Sequence, residues 1–185
     1  MFCRALLCSL VLIASAAVPS SEVAEATILR LEIEGKGTLA IQMHTREAPL
    51  TTARILELAG QGFYNGQRFF KVVRSPRPFL AQIGDPNSRT RPIDDPTLGT
   101  GGTGRRIPFE STPFRHVTGA VGLARLPDDP NSGDSQFYIM LGPASFLDGN
   151  YTVFGQVVSG LELLNRLEVG DRVTAATIQR GATAR

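Results

Sequence analysis

The chain has 185 residues, 19 basic and 17 acidic side chains, a formal charge of +2 and two cysteines, Cys3 and Cys8. So weak a balance argues neither for a nucleic-acid partner nor for an anionic membrane surface. Beyond Cys8 there is no thiol, which excludes disulfides, cysteine nucleophiles and Cys-ligated zinc from the rest of the chain.

Residues 1–26 read as a secretory leader. Arg4 supplies a positive start, Ala5 to Val18 is an apolar run, and Ala24-Glu25-Ala26 offers a cleavage site among other small-residue triplets. The run falls short of the roughly 20 residues a stable membrane span needs. The expectation is therefore a leader at 1–26 and one domain at 27–185, periplasmic or secreted, with no stable membrane insertion after cleavage. A domain of that length can bury a real core.

Strand signals dominate the domain. Ile28 to Ile33 alternates apolar and charged, Gly35-Lys36-Gly37 turns the chain, and Leu39 to Met43 returns it as a hairpin. Pro49 marks a helix start, where its missing N–H costs nothing. Leu50, Ala53, Leu56 and Ala59 then repeat at helical spacing until Gly60 and Gly62 end the run. Arg68 to Val73 and Phe79 to Ile83 read as strands. From Gly84 to Pro113 prolines and glycines interrupt any period, and a loop of such length in a compact domain is usually functional or packed on the surface. Strand signals resume at Ala120–Arg125, Ser135–Leu141 and Thr152–Val158. A short helix follows at Gly160–Leu167, and a last strand at Val173–Gln179. Many short strands with two short helices predict a mainly β fold, a closed eight-stranded antiparallel barrel whose helices cap its ends.

Several chemistries can be set aside. Gly99 to Gly104 matches G-x-G-x-x-G, but Pro96 precedes it and Arg105-Arg106-Ile107-Pro108 follows, so the strand and helix of a dinucleotide site are missing. There is no G-x-S-x-G, and His44 and His116 lack metal-binding spacing. No cofactor or metal is expected, and His116 reads as a packed or hydrogen-bonded histidine. Arg74, Arg77, Arg89, Arg91, Arg105 and Arg106 carry no interleaved aromatics and read as solvated loop charge. On a strand, Gln136 and Tyr138 share one face and Phe137 and Ile139 the other. A face bearing an amide and an aromatic ring suits a peptide groove better than a dry core.

Six ordered segments resemble the cyclophilin family: Gly62-Phe63-Tyr64-Asn65-Gly66, Phe79 to Asp85, Gly99-Thr100-Gly101-Gly102, Ser135 to Ile139, Phe146-Leu147-Asp148-Gly149 and Val153-Phe154-Gly155. The resemblance implies a peptidyl-prolyl cis-trans isomerase, expected to act as a monomer on proline-containing segments of exported proteins. Carried over by position, the proline pocket would be Phe79, Leu80, Tyr138 and Leu147. Gln82 would orient the catalytic cation, Arg125 and Gln136 would line the groove for residues before the proline, and the backbone at Ala124 would pair with the peptide. Phe146 and Tyr151 would flank it. They stand where many members have tryptophan and histidine, as in secreted bacterial members, and the missing tryptophan donor implies weak binding of cyclosporin.

One position departs from the pattern. The family's catalytic arginine lies in an FHRVI-like strand, and here Phe69-Phe70-Lys71-Val72-Val73 puts Lys71 in its place. The connection that follows, Arg74 to Pro78, is three residues longer than usual. The expected catalytic pair is therefore Lys71 and Gln82, with Arg74 or Arg77 as the competing source of a guanidinium. A proline-peptide-binding module with weak or no isomerase activity is the alternative reading.

Overall fold

The computed structural model describes residues 26–181. The leader read at 1–26 lies outside the described residues except for Ala26, which pairs with Gly181. In chain order the elements are β1 (Ala26–Ile33), β2 (Gly37–Met43), α1 (Pro49–Gly60), β3 (Lys71–Val73), β4 (Leu80–Ile83), β5 (Ala120–Leu123), β6 (Phe137–Met140), β7 (Val153–Ser159), α2 (Leu161–Leu164) and β8 (Val173–Gly181). Single 3-10 turns occur at Pro86–Arg89 and Ser145–Leu147. Among the described residues no helix is long and apolar enough to cross a membrane.

The strands form one antiparallel sheet in the order β3-β4-β6-β5-β7-β2-β1-β8. The expected closed barrel is corrected to an open, curled half-barrel: β3 and β8 end the sheet and no strand ladder joins them. The strand expected from Arg68 begins only at Lys71, so β3 has three residues. The chain before it reaches β8 through separate backbone bonds, Phe69 N–H to Asp171 O (2.9 Å) and Val173 N–H to Gln67 O (2.8 Å), around the Arg68–Arg172 bridge. Asn65 Oδ1 accepts the Ala176 N–H at 2.9 Å on the same flank.

Alternation divides the buried residues in two. Phe137, Ile139, Ala81, Ile83, Val121 and Leu123 join Leu29, Leu31, Leu39 and Ile41 in the main core. Leu80, Tyr138, Met140, Ala144, Leu147 and Val153 gather in a second cluster, with Phe79, Ala124 and Tyr151 packed against it. The strands that carry the candidate site are thus buried on both faces, and the second face is the one that matters for a ligand.

α1 lies against β8, but not with the face its apolar period suggests. Leu50 is 53% exposed, and the buried residues are Thr51, Thr52, Ile55, Leu58 and Ala59. Two buried threonines are tolerable because both hydroxyls are satisfied. Thr52 Oγ1 donates to Ala48 O (2.7 Å) and Thr51 Oγ1 to Glu110 Oε2 (2.6 Å). Glu110 also accepts the N–H groups of Leu50 and Thr51, each at 2.8 Å. It therefore supplies the cap that Ala48, the residue before the helix, cannot provide.

The stretch 84–119 contains no strand, yet it is firmly tied. The buried Asp85 carboxylate accepts N–H groups from Asn87 (2.8 Å), Gly99 (2.7 Å) and Gly101 (3.0 Å). Of the arginines expected to be solvated, Arg77, Arg91, Arg105 and Arg106 are exposed, while Arg74 and Arg89 are half-buried fasteners. Arg89 donates to the carbonyls of Asn65 and Phe63, Arg91 to Thr97, Arg105 to Glu57 and Arg106 to Asp129.

Candidate functional site

Register builds the site. Lys71 on β3 lies opposite Gln82 on β4, Gln82 opposite Tyr138 on β6, Tyr138 opposite Gly122 on β5 and Gly122 opposite Val153 on β7. Directly opposed residues project to the same side of a sheet. A cation, an amide, an aromatic ring and a gap therefore stand in one row. Leu80 and Met140, opposed to each other one step along, extend the apolar part.

Of the expected site residues, Gln82, Ala124, Arg125 and Gln136 line a groove of about 510 Å³ whose far wall is the glycine loop Gly99–Gly104 with Arg106 and Asp134. Phe79, Leu80, Tyr138, Leu147 and Tyr151 assemble beside it in the second apolar cluster. Phe146 is 62% exposed, and its ring stacks on Phe79 at 5.7 Å. Gln82 and Gln136 are half-buried, so this face is not a closed core.

Most of the donors are already committed. Gln136 Nε2 donates to Gly99 O (2.9 Å) and Gly101 O (2.7 Å), which fastens the glycine loop. Gln82, expected to orient the cation, donates its Nε2 to Gln136 Oε1 at 2.9 Å. Lys71 is exposed. Arg125 does line the groove, but its guanidinium is spent on the carbonyls of Asn150, Leu126 and Pro127 and sits 4.2 Å above the Tyr151 ring, a cation–π contact. The Ala124 N–H donates to Gln136 O at 3.0 Å. Arg74 does not swing toward the groove: its Nη2 donates to Leu164 O (2.6 Å) and Leu167 O (2.8 Å) at the end of α2. Arg77 stands exposed in the connection after it.

Two residues of the site were not singled out as part of it. His116 is buried as expected, at 2% exposure. Its Nδ1 lies 2.9 Å from Asp148 Oδ1 and its Nε2 lies 2.9 Å from Tyr138 Oη. The His116 donors hold the Asp148 carboxyl below the usual carboxylate range, while burial pushes the Tyr138 phenol far up. Asp148 sat in a recognised motif, but nothing in its spacing announces a partner 32 residues away. Among the described residues no cluster of three or more histidine, cysteine, aspartate or glutamate side chains could hold a metal ion.

An eight-stranded curled sheet with two helices and a polar groove beside an apolar cluster is the cyclophilin fold. A cyclophilin-type peptidyl-prolyl isomerase from Cryptosporidium parvum superposes with a TM-score of 0.72 at 24% identity, over 83% of this chain and 98% of that one. A cyclophilin from Hirschia baltica does so with a TM-score of 0.66 at 22% identity, over 81% and 73%. The family model "Cyclophilin type peptidyl-prolyl cis-trans isomerase/CLD" matches residues 28–181. A Brucella suis protein named "Probable peptidyl-prolyl cis-trans isomerase" is 36% identical over 180 residues, 90% of this chain and 86% of that protein. A Helicobacter pylori peptidyl-prolyl cis-trans isomerase is 35% identical over 140 residues, 74% and 77%. The chain belongs to the cyclophilin-type peptidyl-prolyl cis-trans isomerase family.

Proposed function

We propose that the chain isomerises X–Pro bonds in extended segments of exported proteins, in the periplasm or outside the cell, with Lys71 as its catalytic cation. The row Lys71–Gln82–Tyr138 beside the groove is the observation that carries this reading. The proline ring would sit against Phe79, Leu80, Tyr138 and Leu147, flanked by Phe146 and Tyr151. The residues before it would run along Gln82, Ala124, Arg125 and Gln136. Since the Ala124 N–H is already used, its carbonyl is the group left to meet the peptide backbone.

The chemistry needs no covalent change. Amide resonance sets a rotation barrier of about 18–20 kcal/mol, and X–Pro exchange in solution takes on the order of tens to hundreds of seconds. In the twisted state the nitrogen becomes pyramidal and gains a lone pair. A donor aimed at that nitrogen or at the rotating carbonyl favours the twisted state alone, which is the only kind of contact that raises the rate. An acceleration of 10⁵ requires roughly 7 kcal/mol of such preference. Lysine is a point charge on a flexible stem, whereas arginine holds several donors in a rigid plane. A slow isomerase follows, and the single step Lys71→Arg should speed it.

A protease-coupled assay on a proline tetrapeptide, run with a measured peptide affinity, tests this. Lys71→Arg should raise kcat/KM by about tenfold and Lys71→Ala should lower it, with affinity little changed. No change in either variant would remove Lys71 from the mechanism. Lysine at this position also favours a second reading: binding of the peptide without any gain over its spontaneous rate would leave a proline-peptide-binding module.

A further inference from the structure

We propose that His116 is the positioning residue of the proline pocket, a buried hub that fixes the Tyr138 ring and the turn bearing Leu147 in one arrangement. The inference rests on the pocket reading above. It starts from the proton inventory of the imidazole. Asp148 Oδ1 accepts the His116 backbone N–H at 2.8 Å and faces the ring Nδ1 at 2.9 Å. A carboxylate only accepts, so Nδ1 carries the hydrogen. Neutral imidazole has one N–H, which leaves Nε2 as an acceptor, and the Tyr138 hydroxyl 2.9 Å away donates to it. The two rings also stack, at 6.0 Å and 22°.

The same residue holds the turn through its backbone. The Ala144 N–H donates to His116 O at 2.8 Å, and Asp148 grips His116 from the turn's other end. The 3-10 turn Ser145–Leu147 is thus fastened at both ends to one residue. Gly122 leaves the room the Tyr138 ring occupies: a methyl there would come well inside 3.0 Å of Cζ and Oη. The ring has one seat, with a bolt at its hydroxyl. A phenylalanine would need no bolt, and tilting its ring would cost no hydrogen bond. For Tyr138 a tilt that carries Oη away from Nε2 breaks that bond and leaves two buried polar atoms unpaired.

NMR and binding on the intact chain test the proposal. Two-dimensional ¹⁵N spectra should show Nδ1 protonated and Nε2 bare in His116, and the Tyr138 hydroxyl proton should be visible and slow to exchange with solvent, because Nε2 holds it. His116→Asn keeps the Asp148 partner and drops the Tyr138 partner. It should lose that hydroxyl signal and weaken binding of a proline tetrapeptide about fivefold to tenfold. His116→Gln reaches as far as Nε2 and should restore at least half of that loss, which a merely structural role would not produce. If His116→Asn does not fold, Tyr138→Phe breaks the same bond from the other end and should shift the Nε2 signal and weaken binding alike. A hydroxyl signal unchanged in His116→Asn, or unchanged affinity in folded variants, would overturn the hub. Failure of the pocket reading looks different: the peptide would leave the Tyr138, Leu80 and Leu147 signals of the wild-type chain unmoved while the hydroxyl result still stood.

Discussion

At the scale of single residues, the site is a set of groups whose freedom has been removed in advance. Gln82, Gln136 and Arg125 each carry donors, yet each spends them on the protein. Preorganisation of this kind means that a ligand meets a fixed surface and little ordering entropy remains to be lost on binding. Gly122 is the most exposed to test. Gly122→Ala should destabilise the fold by about 1–3 kcal/mol, the usual cost of overpacking, and weaken peptide binding because Tyr138 must yield. Urea unfolding and a peptide titration read the two effects separately. The residue types at the site were legible in the sequence because they fall in motifs with fixed order. Their commitments were not, since a hydrogen bond such as that from Gln136 to Gly99 spans 37 residues and depends on which amide faces which carbonyl.

At the scale of elements, the strands were read well and α1 was read in the wrong phase. Alternation is a local signal, and β1 obeys it, with Leu29, Leu31 and Ile33 buried between exposed Arg30 and Glu32. The buried face of α1 depends on Thr51 and Thr52, which count as polar in any periodic analysis. Only the folded partners, Glu110 and the Ala48 carbonyl, make them core residues. Glu110 lies 60 residues from the helix it caps, so no capping motif precedes Pro49. Glu110→Ala should cost about 1–2 kcal/mol, the range for a lost cap, and Glu110→Gln less. Hydrogen exchange should show the loss concentrated in the first turn of α1. Arg74 does the corresponding work at α2, accepted by two carbonyls at its end, where a cation also suits the helix dipole.

At the scale of the whole molecule, stability should fall on acidification in two stages. His44 stacks on Phe114 at 3.8 Å, and desolvation holds its pKa below the usual 6.5, against the pull of Glu47. A lowered folded value means that the unfolded chain binds the proton first. Its contribution is therefore present above 6.5 and is lost as pH falls through the folded value. Asp148 follows the same sign lower down: its contribution is present above 3.8 and is lost as pH falls through a still lower folded value. Thermal melts across that span should show both declines, and His44→Phe should remove the upper one. The open half-barrel was the part least legible at this scale, because closure turns on whether Gly66 to Phe69 forms a ladder with β8 or a few separate bonds. The bonds that do form have a consequence for what the molecule must avoid. A sheet with free edges risks a foreign extended chain joining it as an extra strand. At one margin β3 is three residues long and runs into Pro76 and Pro78, which lack the N–H a newcomer would need. At the other, Asn65, Gln67 and Phe69 already occupy hydrogen-bonding groups at Asp171, Val173 and Ala176. At both margins, therefore, positions that a newcomer strand would need are already withdrawn from pairing.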